Sequence, residues 1–231
     1  MNNTKIIING IPAIVWGEES SKLWLCVHGK MSSKDAFEEF AAIAEKKGFQ
    51  TLSFDLPEHG DRKGEADRCD IWNGMRDLKT VAAYAFANWS EVSLYGCSLG
   101  AYFSLHAFHK DYNFRKCLFQ SPILDMEHLI GKMMLWFGIS EEQLMVEKEI
   151  PTPIDPLRWD YFCYVKEHPT TNWNIPTHIL FGGKDDLQNR EIMEAFTAKH
   201  GGALTISENS EHPFMAEDDG AIITKWLKAN I

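Results

Sequence analysis

Residues 96–100 read Gly-Cys-Ser-Leu-Gly, a spacing that can turn the hydroxyl of Ser98 into a nucleophile. In such a motif the serine occupies a strained turn between a strand and a helix, and its side chain projects beyond the sheet. The flanking sequence fits, because residues 91–95 alternate like a short strand and residues 99–110 carry apolar side chains at helical spacing. The motif predicts covalent catalysis through Ser98. Cys97 is the rival nucleophile, disfavoured because the turn exposes the central residue.

A serine hydroxyl needs a general base at neutral pH, and His212 is the best placed of the nine histidines. It lies in a polar loop, residues 207–214, between a strand-like run and the last predicted helix. A loop that leaves the carboxyl end of a parallel strand opens on the same crevice as the serine turn, so His212 can reach Ser98. The sequence favours structural roles for other histidines, including His28 in a loop and His178 within a strand-like run.

The base in turn needs a carboxylate that orients its ring, and Asp185 is the preferred candidate. Residues 179–187 form a strand-like run that stops at a glycine pair and continues with two aspartates. Spacing alone leaves the neighbouring Asp186 open as an alternative, and Asp125, which follows another predicted strand, is a third candidate. The order of nucleophile, acid and base along the chain differs from the orders found in chymotrypsin and subtilisin.

Attack of a serine on a carbonyl creates an oxyanion, which backbone N–H groups can stabilise. We expect one donor to be the N–H of Leu99, which follows the nucleophile at a helix N-terminus. The second donor is expected in residues 28–31, the loop after the strand-like run 23–27. Lys30 is the preferred donor and Met31 the runner-up. Only the backbone of Lys30 is implicated, and its side chain is expected to be solvated.

These residues must be positioned by a sheet, and the sequence alternates between strand-like and helix-like segments. Asn9-Gly10 between two apolar runs predicts a tight hairpin. The later strand-like runs are residues 23–27, 51–54, 91–95, 115–119, 177–181 and 203–206. Helical periodicity is found near residues 34–47, 75–88, 99–110, 189–199 and 217–229. The alternation predicts an α/β fold with a mostly parallel central sheet and helices on both faces, and the length predicts one domain, residues 1–231.

One stretch interrupts the alternation, since residues 122–173 separate two predicted strands that a simple crossover would join with far fewer. Within it, helices are expected at residues 126–137, 140–149 and 160–166. Such an insertion lies over the carboxyl ends of the strands and predicts a helical lid above Ser98. Its apolar side chains can line an acyl or aromatic pocket or attach the lid to the core, and they are Met133, Met134, Trp136, Phe137, Trp159, Tyr161 and Phe162.

Charge and cysteine content narrow the expected partners. The chain has 23 Lys and Arg against 33 Asp and Glu, a net charge of −10, which disfavours nucleic acid and anionic membranes. The five cysteines are odd in number and lack metal-ligand spacing, so reduced thiols in the cytoplasm are expected. The apolar run after Lys5 is too short for a secretory signal, and no run is long enough to span a membrane.

Taken in order, these motifs are similar to those of the α/β-hydrolase superfamily, in particular its small bacterial esterase and lipase-like serine hydrolases. The resemblance runs over essentially the whole chain. It rests on His28-Gly29 after the third predicted strand, residues 55–62 after the fourth, the motif at residues 96–100, Gly182-x-x-Asp185 and Glu211-His212. The chain departs from the family pattern at Cys97, at Pro213 after the histidine, and in having two aspartates at the acid position. Residues 55–62 are expected to shape their loop through internal hydrogen bonds.

The resemblance implies a serine hydrolase that cleaves an ester-like bond of a small molecule through an acyl-enzyme intermediate, most simply a carboxylesterase without cofactor or metal. The residues implied are Ser98, Asp185 and His212 for catalysis, with Lys30 and Leu99 as oxyanion donors. A thioesterase, an amidase or a peptidase would use the same residues. The alternative from a different functional class is a non-catalytic, ligand-sensing protein with the hydrolase fold. The natural substrate, the acyl length and the number of subunits are left open.

Overall fold

The computed structural model describes residues 1–109, 112–170 and 172–231. The strands are β1 (Asn3–Ile8), β2 (Ile11–Trp16), β3 (Lys22–Val27), β4 (Gln50–Phe54), β5 (Glu91–Cys97), β6 (Cys117–Gln120), β7 (Glu149–Ile150), β8 (Leu157–Arg158), β9 (Thr177–Gly182) and β10 (Ala203–Ser207). The helices are α1 (Glu38–Glu45), α2 (Ile71–Asn88), α3 (Leu99–Ala107), α4 (Met126–Phe137), α5 (Glu141–Glu147), α6 (Trp159–Glu167), α7 (Arg190–His200) and α8 (Asp219–Asn230). Strands and helices alternate along most of the chain, as the periodicity predicts.

Within this described part, the main sheet has eight strands in the order β1-β2-β4-β3-β5-β6-β9-β10. The β1–β2 and β2–β4 pairs are antiparallel, and every pair from β4 to β10 is parallel. Asn9 and Gly10 join β1 to β2 with φ values of +48° and +88°, both positive as a type I′ turn requires. The predicted fold class, a mostly parallel α/β sheet, is confirmed.

Strand β3 shows why helices cover both faces of the sheet. Its side chains alternate between faces, and those of Leu23, Leu25 and Val27 pack into one buried cluster while Trp24 and Cys26 pack into another. The first cluster includes apolar residues of α2, α3, α4, α6 and α7, and the second includes those of α1 and α8. Because both faces are buried, the strand is an almost continuous apolar run rather than an alternating one.

The parallel arrangement places the candidate functional loops at one edge of the sheet. The loops that follow β3, β5, β6, β9 and β10 all leave the carboxyl ends of parallel strands, so they meet there. Ser98 follows β5, Lys30 follows β3, Asp185 follows β9 and His212 follows β10. Residues far apart in the sequence are therefore brought to a common crevice by the topology alone.

A long insertion lies between β6 and β9, and we call residues 121–176 the insert. It contains α4, α5, α6 and the antiparallel pair β7–β8, apart from Thr171, which lies outside the described residues. Ion pairs connect it to the segment before α2, with Arg68–Glu149 at 2.8 Å and Arg158–Asp70 at 3.0 Å. In the part of the chain that the structure describes, no helix has the length and hydropathy needed to cross a membrane.

Several predicted boundaries differ from the observed ones. The helix expected over residues 140–149 ends at Glu147, because Lys148 has a φ of +66° and the next two residues pair with β8. The helix expected over residues 99–110 ends at Ala107, and its predicted end at Lys110 lies outside the described residues. Two-residue strands such as β7 carry no detectable alternation, so sequence periodicity misses them.

Candidate active site

Ser98 occupies a strained turn between β5 and α3. Its φ and ψ are +47° and −116°, a conformation that few residues other than glycine adopt. The turn is so tight that a Cβ on Gly100 would lie 2.5 Å from the carbonyl oxygens of Val27 and His28, and one on Gly96 would lie 3.0 Å from Ala101 Cα. The glycines around the serine are therefore required by the close approach of β3 and α3.

The imidazole of His212 lies between the side chains of Ser98 and Asp185. His212 Nε2 is 2.9 Å from Ser98 Oγ, and His212 Nδ1 is 2.7 Å from Asp185 Oδ2. Because the carboxylate can only accept, Nδ1 carries the proton and Nε2 presents its lone pair to the serine hydroxyl. The His212 side chain is 7% exposed and that of Asp185 is fully buried, so little water competes for these contacts.

The loop after β9 brings only one of its adjacent aspartates to His212. The other oxygen of Asp185, Oδ1, accepts hydrogen bonds from the backbone N–H groups of Leu187 at 2.8 Å and Gln188 at 3.1 Å. Asp186 is exposed to solvent. The third candidate, Asp125, caps the first turn of α4 by accepting from the His128 N–H at 2.8 Å. Of the three carboxylates, Asp185 is the one in contact with His212.

Close backbone packing holds the Asp185 and His212 loops together. A Cβ on Gly182 would lie 2.6 Å from the Ser210 carbonyl oxygen, and a Cβ on Gly183 would lie 2.8 Å from Glu208 Cα. The glycine pair thus does more than end β9, because it allows the two loops to pack backbone against backbone. Any larger side chain at either position would push the acid and the base apart.

Two buried polar residues that the sequence analysis missed fix these loops. Asp219, at the start of α8, accepts from Ser210 Oγ at 2.5 Å and from the Ala216 N–H at 2.9 Å, and so ties both sides of His212. Gln188 accepts from the N–H groups of Leu124 at 3.0 Å and Asp125 at 2.9 Å. It thereby joins the Asp185 loop to the insert. Neither residue belongs to a recognisable motif. The partners of Gln188 are remote in the sequence, and those of Asp219 depend on how the loop before α8 folds.

The loop after β3 packs directly against the serine turn. A Cβ on Gly29 would lie 3.0 Å from Ser98 Cβ, so the backbone of residues 28–31 passes beside Ser98. Lys30 and Leu99 both line the cavity that contains Ser98. The N–H of Met31, the runner-up donor, is occupied because it donates to His59 Nε2 at 3.0 Å. The Lys30 side chain is 34% exposed, and its Nζ pairs with Asp155 of the insert at 2.7 Å.

A cavity of about 920 Å³ separates the insert from the carboxyl edge of the sheet. Ser98 and His212 lie in its wall, and most of the remaining wall is apolar, including Ile123, Leu129, Ile130 and Leu187. Of the insert residues considered from the sequence, Met133, Trp136 and Tyr161 line the cavity. Met133 also belongs to the buried core cluster, as do Met134 and Phe162, which do not line the cavity. Phe137 and Trp159 pack against that cluster.

Cys97, the rival nucleophile, also lines the cavity. Burial raises the pKa of its thiol to about 11. At pH 7.5 the reactive thiolate is then on the order of one molecule in several thousand, too little for an efficient nucleophile. In the described residues, no group of three His, Cys, Asp or Glu side chains is arranged to hold a metal ion.

We expect Cys97→Ala to keep kcat/KM for a short p-nitrophenyl ester within about threefold of wild type, because the thiol takes no part in attack. Wild-type Cys97 should also react slowly with iodoacetamide at pH 7.5 and faster as the pH approaches 11. Steady-state kinetics and mass spectrometry of the labelled peptide measure these effects. Loss of fluorophosphonate labelling in Cys97→Ala, with labelling retained in Ser98→Ala, would assign the nucleophile to the cysteine.

Comparison with known proteins identifies a family for part of the chain. A family model described as serine aminopeptidase, S33 (Hydrolase_4) matches residues 18–156, which include the Ser98 motif and the loop after β3 but end before Asp185 and His212. No curated protein matches the chain.

Solved structures of similar fold cover almost the whole chain. Est1E from Butyrivibrio proteoclasticus, solved with ferulic acid bound, is 17% identical with a TM-score of 0.79, covering 98% of this chain and 96% of its own. Mouse alpha/beta hydrolase domain-containing protein 10 is 12% identical with a TM-score of 0.76, covering 99% of this chain and 98% of its own. The monoacylglycerol lipase of Paleococcus ferrophilus is 16% identical with a TM-score of 0.67, covering 95% and 98%. At these identities the likeness establishes the fold.

The family match and the fold lead to one classification. The matched segment covers more than half of the chain and carries the serine motif of the family. The fold is shared with solved esterases and with an alpha/beta hydrolase domain-containing protein. The chain therefore belongs to the serine aminopeptidase S33 family of the α/β-hydrolase superfamily and is a serine hydrolase of that fold.

Proposed function

We propose that this hydrolase is a carboxylesterase that cleaves small-molecule esters through an acyl-enzyme intermediate. The observation that carries the proposal is the continuous hydrogen-bonded series Ser98–His212–Asp185, with contacts of 2.9 Å and 2.7 Å, in the wall of a largely apolar cavity. These are the groups that serine acyl transfer requires, in contact and with the proton on the correct imidazole nitrogen.

In the proposed reaction, Ser98 Oγ attacks the ester carbonyl carbon while His212 Nε2 takes the hydroxyl proton. Asp185 stabilises the resulting imidazolium through Nδ1. The N–H groups of Lys30 and Leu99 donate to the oxyanion. His212 then gives its proton to the departing alcohol. A water molecule, deprotonated by His212, attacks the acyl carbon; the bond from that carbon to Ser98 Oγ breaks, Oγ takes the proton back from His212, and the acid leaves. Every proton is carried by a side chain, so the cycle needs no cofactor.

The charges around the cavity favour an ester over an aminopeptidase substrate. An aminopeptidase binds a free α-ammonium group, which calls for an unpaired carboxylate near the nucleophile. The carboxylates in the described cavity wall are Asp155, which pairs with Lys30, and Glu39, an exposed residue that accepts a hydrogen bond from the Thr224 hydroxyl. Lys30 and Arg158 lie in the same wall, so its carboxylates are matched in number by cations, and the mostly apolar remainder fits an uncharged acyl group.

We also propose that the insert acts as the lid of this one-domain protein, since Met133, Trp136 and Tyr161 line the cavity that contains Ser98. A cytoplasmic location is proposed as well, because Cys26 and Cys117 are free thiols buried in the sheet.

We expect kcat/KM on p-nitrophenyl esters to rise with acyl length, by up to about fourfold per methylene, until the chain fills the cavity. This factor follows from about 0.8 kcal/mol per buried methylene. Met133→Trp should shorten the preferred acyl chain because the larger ring occupies the cavity. Leu135→Trp is the matched control, since Leu135 lies on the same helix but is exposed. A flat length profile in the wild type would contradict an acyl-binding role for the cavity.

The proposed function is tested by assaying wild-type protein on p-nitrophenyl esters, matched thioesters and anilides, together with labelling by a fluorophosphonate probe. Turnover fastest on esters and labelling at Ser98 are expected. Faster turnover of thioesters or anilides would reassign the leaving group. A wild-type protein that turns over none of them and resists the probe would favour the ligand-sensing alternative.

A further inference from the structure

Two imidazole rings hold consecutive peptide groups on either side of Lys30. The carbonyl oxygen of Gly29 accepts a hydrogen bond from His28 Nδ1 at 2.7 Å, and that carbonyl shares its peptide group with the Lys30 N–H. The next peptide group, between Lys30 and Met31, is held through its N–H rather than its carbonyl, because the Met31 N–H donates to His59 Nε2 at 3.0 Å. The short turn that carries the proposed oxyanion donor is thus fixed before and after Lys30.

The remaining nitrogen of each ring is also bonded, which sets the proton positions. His28 Nε2 accepts from the Leu56 N–H at 3.0 Å, and His59 Nδ1 donates to the Pro57 carbonyl oxygen at 2.7 Å. A carbonyl can only accept and a backbone N–H can only donate, so each ring carries its proton on Nδ1 and a lone pair on Nε2. Both histidines are therefore neutral and share the tautomer that is less common in water.

We propose that His28 and His59 are positioning residues that aim the Lys30 N–H at the oxyanion; this inference rests on the proposed esterase function. A peptide group is planar, so fixing the Gly29 carbonyl also fixes the direction of the Lys30 N–H. Preorganised donors stabilise a developing charge without reorganising during the reaction. The two rings supply that preorganisation by bonding the backbone of the turn.

Burial and neighbouring groups keep the two rings in place. Their centroids are 5.2 Å apart, and both side chains are buried. Burial lowers the pKa of His28 to about 4, so this ring stays neutral under ordinary conditions. The loop that carries His59 is itself anchored, since buried Asp55 accepts from the Lys34 backbone N–H at 2.9 Å and from Lys34 Nζ at 2.7 Å.

The tautomers can be tested without any assay of activity. Long-range proton–nitrogen spectra of uniformly ¹⁵N-labelled protein at pH 7.5 distinguish Nδ1–H, Nε2–H and doubly protonated rings. The variants His28→Gln and His59→Gln assign the signals. We expect both rings to be neutral with the proton on Nδ1. An Nε2–H tautomer or a cationic ring at either position would overturn the inference, whatever the catalytic activity.

The positioning role can be tested with His59→Ala and His59→Gln. The alanine removes the acceptor for the Met31 N–H, and we expect kcat on the best ester to fall about tenfold or more with KM within about threefold. The inhibition constant of a trifluoromethyl ketone, which forms an oxyanion on Ser98, should rise by the same factor as kcat/KM falls. The glutamine retains an acceptor oxygen and should restore kcat to within about threefold of wild type.

His178→Ala is the matched control, since His178 is a half-buried histidine of β9 that hydrogen-bonds Asn230 away from the cavity. It should leave kcat and ketone inhibition unchanged. A folded His59→Ala with wild-type kcat, or one that loses kcat without weaker ketone inhibition, would overturn the positioning role. An inactive wild type would instead contradict the proposed function, and the nitrogen spectra would still decide the tautomers.

Discussion

Ser98→Ala is expected to lower kcat for p-nitrophenyl esters by about 10⁴- to 10⁶-fold and to abolish fluorophosphonate labelling. The variant removes the only atom that forms the covalent bond, while its methyl group fits the space of the hydroxymethyl group. The fold should be retained, because the hydroxyl contacts only His212 among the described side chains. Stopped-flow and steady-state kinetics measure the loss, and thermal unfolding measures the stability.

Ser104→Ala is a suitable control for this loss. Ser104 lies on α3, the helix that begins directly after Ser98, and its hydroxyl bonds back to the Gly100 carbonyl at 2.7 Å. It should keep kcat within about threefold of wild type, since only a local helical hydrogen bond is removed. Turnover by Ser98→Ala well above the level that contaminating esterases can explain would refute the proposed nucleophile.

Asp185→Asn is expected to lower kcat by about 10³- to 10⁴-fold. The structure indicates how the amide would be oriented. Asp185 Oδ1 faces the N–H groups of Leu187 and Gln188, so the amide oxygen must occupy that side. Its NH₂ group then faces His212 Nδ1 and donates to it. The imidazole proton is forced onto Nε2, and the ring can no longer take the proton from Ser98.

Asp186→Asn provides the matched comparison, because it makes the same chemical change one residue away at an exposed position. It should leave kcat within about threefold of wild type. Both variants should unfold at similar temperatures if the Asp185 effect is on the tautomer rather than on the fold. The reverse ranking of the two variants would assign the acid to Asp186.

The sequence predicts the fold well because apolar periodicity and turn residues reflect local physics. β3 can be recognised from five successive apolar side chains, and the hairpin from Asn9-Gly10, since neither depends on distant partners. The position of Ser98 follows from the glycines that its tight turn requires. These features are each encoded within a few residues.

The sequence could not resolve features that depend on how remote loops meet. Asp185 and Asp186 are adjacent and chemically identical, and only the backbone direction after β9 decides which one contacts His212. Gln188 joins two loops through hydrogen bonds to Leu124 and Asp125, which lie 64 and 63 positions earlier in the sequence. Polar residues of this kind show no periodicity, so they are visible only when the loops are assembled.

The ion pair between Lys30 and Asp155 joins two parts of the chain that contribute differently to the site. It connects the turn beside Ser98 to the insert, at the same position whose N–H is the proposed oxyanion donor. Loops at the strand ends carry the proposed reacting groups, whereas α4 of the insert contributes a row of apolar residues to the cavity wall. Engineering of acyl selectivity can therefore concentrate on the cavity side of α4, leaving the chemistry untouched, provided that position 155 keeps its carboxylate.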